Sequence, residues 1–187
     1  PSLFPWALSS TSKRLYPFQE KTVNQIISEL KENGPDFNLL YQLPTGGGKT
    51  VIFSEITKEY IKHWNKKVLI LTHRIELSIQ TSKQLDAIAV SNKVINSEVK
   101  TLEDQGEFNC FIAMVETLNN RLQDDENFVQ DIGLVIVDEA HYNSFRKIFK
   151  YYEQVNILGV TATPLSSNKA LPLNDHYDKL KVGESIS

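Results

Sequence analysis

The chain has 187 residues, 41% of them hydrophobic and 23% charged, with a net charge of -3, enough for one well-cored domain. With so little positive charge, any grip on nucleic acid must come from a local patch or from another part of a longer protein. One cysteine, Cys110, excludes an internal disulfide. No apolar run spans a bilayer, and PSLFPWALSS lacks a secretory signal's basic start.

These features read as a cytosolic, soluble fragment, and a first residue of proline rather than methionine suggests a processed or excised start. Along the chain, FQEKTVNQIISELKENG repeats Val23, Ile26, Ile27 and Leu30 at helical spacing, with Gly34 placed to end the helix. NLLYQL then reads as a strand, and KTVIFSEITKEYIKHW as a second helix carrying Phe53, Ile56, Tyr60 and Trp64 on one face. KVLILT, CFIAMV, GLVIVD and NILGVT are further apolar runs suited to strands buried on both faces, and NKVIN is a weaker candidate. Strand and helix in alternation predict an α/β fold with a mainly parallel sheet and helices on both faces. After Pro164 the pattern fades, and 166–187 reads as a tail or linker.

LPTGGGKT lies between the first strand and the second helix. It nearly fits the phosphate-binding pattern G-x-x-x-x-G-K-[ST], but Leu43 stands where the first glycine belongs. The mechanics are otherwise complete. Gly46, Gly47 and Gly48 free the backbone to aim N–H groups at phosphates, and a helix N-terminus follows. Lys49 would reach the β- and γ-phosphates, and the Thr50 hydroxyl would coordinate Mg²⁺. Downstream, LVIVDEAH places Asp138 and Glu139 at the C-terminal end of a strand, where parallel sheets bind ligands. One carboxylate can orient the waters of a metal while the other activates an attacking water.

With both stretches present, Leu15 to Pro164 resembles the first RecA-like motor domain of a superfamily 2 helicase or translocase of the DEAD/DEAH-box type. LPTGGGKT resembles motif I of that family, in which the first glycine is often replaced. LTHRIELSIQ resembles motif Ia, FIAMVETLNNRL the region of motifs Ib and Ic, VDEAH motif II and VTATP motif III. The resemblance implies a division into 1–14 as an extension, 15–165 as the motor domain and 166–187 as a linker to a second RecA-like domain. It implies ATP and Mg²⁺ as cofactors, with Thr45, Gly46, Gly47, Gly48, Lys49 and Thr50 on the nucleotide. Asp138 would hold the metal with Thr50, Glu139 would be the catalytic base, and His141, Thr161 and Thr163 would couple the nucleotide to strand movement.

RLYPFQEKT resembles the family's adenine-recognition signature, with Gln19 on the adenine edge. Tyr16 stands where arginine is usual and Phe18 where tyrosine is usual. An aromatic ring can also stack on a base, and Arg14 could reach it. Nucleic acid, DNA rather than RNA on the HRIEL form of motif Ia, would meet Thr72, His73, Arg74 and Thr117. Met114 departs from the family's usual threonine. KHWNKK and FRKIFK read as solvated faces.

Such motors hold ATP between two domains, and the second supplies arginine fingers worth about 10³ to 10⁵ in turnover. The isolated chain is therefore expected to be a monomer that binds Mg-ATP weakly and turns it over very slowly. The resemblance leans to repair helicases of the RadD-like kind or restriction-enzyme motor subunits, in the cytoplasm, on the nucleoid or in a nucleus. A nucleotide-gated nucleic-acid-binding module without unwinding is the alternative.

Overall fold

Val68, Ile70, Leu134, Ile136 and Val160 are fully or almost fully buried on one side of a sheet, and Leu69, Leu71, Val135 and Val137 on the other. Successive side chains of a strand point to opposite faces, so each apolar run feeds two cores. The computed structural model describes residues 15–35, 37–43, 48–138, 146–152, 154–161 and 179–182.

Its elements are α1 (Pro17–Asn33), β1 (Asn38–Gln42), α2 (Lys49–His63), β2 (Lys67–Thr72), α3 (Ile75–Ala87), β3 (Asn92–Ile95), β4 (Cys110–Met114), α4 (Val115–Asp124), β5 (Ile132–Asp138), α5 (Arg146–Phe149), β6 (Asn156–Thr161) and β7 (Lys179–Val182). Among the described residues, seven strands form one sheet in the order β3-β4-β2-β5-β6-β1-β7. Every neighbouring pair is parallel. Val23 and Ile26 of α1, Ile52 and Ile56 of α2 and Leu85 of α3 cover one face. Leu118 and Leu122 of α4 and Ile148 of α5 cover the other. This is the α/β architecture that the alternation predicts, a parallel sheet with helices on both faces.

Local chemistry sets the element ends. Gly34 adopts φ 72° and donates its N–H to Leu30 O at 3.1 Å, closing α1. Asn156, buried at the start of β6, donates through Nδ2 to Gly34 O at 2.7 Å and Phe37 O at 3.0 Å. One amide therefore fixes where α1 ends and β1 begins. The run CFIAMV yields its last residue to α4, because Val115 opens that helix.

Within 166–187, one stretch forms a strand among the described residues. Lys179–Val182 pairs with β1 from Leu39↔Lys179 to Gln42↔Val182. These four residues form the edge strand next to β1 among the described residues. They are too few for periodicity to reveal from sequence.

Candidate nucleotide and nucleic-acid sites

The adjacency of β5, β6 and β1 decides the geometry of the site. Asp138 ends β5 and Thr161 ends β6, while β1 runs into the glycine loop. Gln42 pairs with Thr161, and Asp138 with Val160. Three motifs far apart in sequence thus end side by side on the edge of the sheet where ligands bind.

Leu43 is 1% exposed and belongs to the core below this edge. Its N–H donates to Thr161 O at 2.9 Å, continuing the β1–β6 ladder by one bond. Position 43 is therefore the end of the sheet rather than part of the free loop, and an apolar side chain is what the position buries.

The loop ends at Gly48, which takes φ 71° and ψ 50° and leads into α2. That left-handed conformation favours glycine. A Cβ built there would also meet Gln19 Nε2, which would have to move. Lys49 and Thr50 form the first turn of α2, both half-buried.

Lys49 Nζ lies 3.2 Å from Asp138 Oδ1, where the carboxylate is 1% exposed and the lysine side chain 24%. A buried carboxylate is tolerated when a cation compensates it. The loop and the acidic strand therefore converge on one point. Asp138 and Thr50 offer hard oxygen ligands of the kind Mg²⁺ takes, so the donor set fits that ion.

Gln19 is 5% exposed, and its Oε1 accepts the Tyr16 N–H at 3.0 Å. Its side chain thus caps the start of α1. Tyr16 is 67% exposed, with its ring nearly parallel to that of Phe18 at 6.0 Å between centroids. Thr45, Gly46, Gly47, Glu139, His141 and Thr163, expected at this site, lie outside the described residues. Thr161 is fully buried between β1 and β5.

The expected nucleic-acid contacts divide. Arg74 is exposed at the start of α3, and His73 and Thr117 are half-buried. Thr72 is different. It is 1% exposed, and its hydroxyl meets Ser78 Oγ at 2.8 Å and Arg74 O at 3.1 Å. A hydroxyl so placed shapes the turn that presents Arg74. Lys67, from the basic run KHWNKK, donates to Phe108 O at 2.7 Å, a structural role.

Sequence reasoning missed one feature beside Thr117, a groove of about 460 Å³ lined by Ile75, Ile79, Val94 and Met114. Ile75 and Ile79 are 38% and 46% exposed. Their i, i+4 spacing was the available signal.

Residues 12–166 match the family model described as the type III restriction enzyme, res subunit. Among similar proteins, IRC3 of Saccharomyces cerevisiae is 28% identical over 171 residues, an alignment covering 80% of this chain and 23% of that protein. The ATP-dependent DNA helicase MPH1 of Candida albicans is 31% identical over 144 residues, covering 69% of this chain and 12% of its own length. The chain thus spans less than a quarter of either relative. The crystal structure of the UvsW helicase from bacteriophage T4 superposes with a TM-score of 0.68 at 15% identity, covering 90% of this chain and 60% of that one. At that identity the match speaks for the fold.

Proposed function

Since the chain belongs to the type III restriction enzyme res subunit family, as the first RecA-like motor domain of a superfamily 2 helicase, we propose that it is the ATP-binding half of a nucleic-acid-dependent ATPase acting on DNA. The observation that carries this is the meeting of Lys49 and Asp138 at 3.2 Å beneath the loop end. A lysine from a glycine loop and a strand-end carboxylate together suit phosphoryl transfer from a nucleoside triphosphate.

In this reading the backbone of Thr45, Gly46, Gly47 and Gly48 cradles the phosphates, and Lys49 leaves Asp138 to neutralise the β- and γ-oxygens. Thr50 and Asp138 hold Mg²⁺, Asp138 through its waters. When bound, the ion stabilises the charge that develops on the transferred phosphoryl group. Glu139 takes the proton of the attacking water. His141 and Thr163 act with Thr161 to pass the loss of the γ-phosphate along the sheet edge, and the position of β6 between β1 and β5 supports that role for Thr161.

Arg74, His73 and Thr117 contact the DNA backbone, which positions a strand without reading its sequence. MPH1 is named a DNA helicase, which supports DNA over RNA. A second RecA-like domain, joined beyond β7, completes the cleft. Alone, this chain binds Mg-ATP and hydrolyses it very slowly.

The test is steady-state ATP turnover by the longer protein alone and with single-stranded DNA, duplex DNA or RNA. DNA is expected to stimulate turnover at least tenfold. Lys49→Ala is expected to abolish turnover. Equal turnover under all four conditions would replace the motor with a nucleotide-gated binding module.

A further inference from the structure

We propose that Lys49 guards Asp138 against free divalent cations, so that the site takes its metal only together with a triphosphate. This rests on the nucleotide site proposed above and adds an order of binding to it. Lys49 Nζ stands 3.2 Å from Asp138 Oδ1, within hydrogen-bond reach. The carboxylate is 1% exposed. A carboxylate so withdrawn from water needs a positive partner, and here the chain supplies one itself.

The two groups are held towards each other. Asp138 ends β5, a strand with β2 on one side and β6 on the other. Lys49 opens α2 directly after Gly48, and its side chain is only 24% exposed. The first turn of α2 carries no acidic residue to draw the ammonium elsewhere. A divalent cation approaching Asp138 and the Thr50 hydroxyl would therefore meet a positive charge already in place. Repulsion there is strong, because buried charges are poorly screened. A triphosphate reverses the balance. Its anionic oxygens give the ammonium a new partner, and they complete the oxygen set that Mg²⁺ takes from one or two carboxylates and its substrate. Metal and triphosphate then strengthen each other's binding by the same factor, as linkage requires.

The experiment uses the 187-residue chain and Mn²⁺, which takes the same kind of oxygen ligands as Mg²⁺. Binding without nucleotide is read as loss of the free-ion EPR signal. Lys49→Gln removes the charge and keeps a hydrogen-bond donor beside the carboxylate. It is expected to bind Mn²⁺ at least about tenfold more tightly than the wild type. Lys49→Ala should do the same, and decides the matter if the glutamine variant does not fold. Adding Asp138→Asn should abolish the gain. A merely structural ion pair would lower stability in these variants and leave Mn²⁺ binding unmoved. Equal Mn²⁺ affinity in the wild type and the charge-free variants would thus overturn the proposal, as would a gain that survives Asp138→Asn. Binding of a fluorescent ATP to the wild type in Mg²⁺ is measured alongside. ATP binding with no Mn²⁺ gain removes the guard alone, whereas no ATP binding removes the nucleotide site and the proposal with it.

Discussion

Leu43 shows how a single residue can look like a defect in a pattern and be a requirement of the fold. Its side chain is buried at 1% exposure and its N–H extends the sheet to Thr161. Leu43→Ala is expected to cost about 2–5 kcal/mol, the usual range for truncating a buried leucine. Urea denaturation would measure the loss, and a change below about 1 kcal/mol would mean that the position is not core. Gly48 is the converse case. Its positive φ disfavours any other residue there, which is the physical content of that glycine in GGGKT. The third residue-scale lesson is Thr72, whose composition suited a phosphate contact but whose hydroxyl is used internally. Residue type alone does not say whether a hydroxyl faces water.

At the scale of elements, Asn156 at the start of β6 links the end of α1 to the segment before β1. Its amide serves two backbone carbonyls that burial would otherwise leave short of donors. Asn156→Ala is expected to destabilise by about 2–3 kcal/mol, since each group left unsatisfied costs roughly 1–3 kcal/mol. Asn156→Asp should be worse, because it turns a carboxylate oxygen towards two carbonyl oxygens. Equilibrium unfolding of both variants checks the order, and an aspartate variant at least as stable as the alanine one would contradict it. α1, α2 and the strands β1 to β6 were legible in the sequence, because helical spacing and short apolar runs are local patterns. β7 was not, because four residues at an edge carry too little pattern.

For the whole molecule, burial of ionisable groups in the two cores sets its response to alkali. Burial pushes the Cys110 thiol up, the Tyr152 hydroxyl likewise, and Tyr60 to about 12 from 10.0. In each case the unfolded chain ionises first. The stability these neutral groups contribute is intact below their unfolded values and lost as pH rises towards the folded ones. Stability is therefore expected to fall from about pH 9 through Cys110, and more steeply above about pH 10, at up to roughly 1.4 kcal/mol per pH unit for each group. Cys110→Ala should remove the first part of the decline. Urea unfolding at pH 7 to 11 measures it, and a flat profile would mean that these groups are not buried as described. At the same scale, no helix among the described residues is long and apolar enough to cross a membrane.

By itself the sequence determined the kinds of element, the parallel α/β class and the order of the motifs, since each depends on local spacing and local loop chemistry. The tertiary structure decided which ends meet. β6 lies between β1 and β5, so Thr161 stands between the glycine loop and Asp138, and Lys49 reaches that carboxylate across the sheet edge. Packing also buried Gln19 and Thr72 and left Tyr16 in the open. Strand neighbours and burial depend on contacts between segments distant in the chain, and no local pattern encodes them.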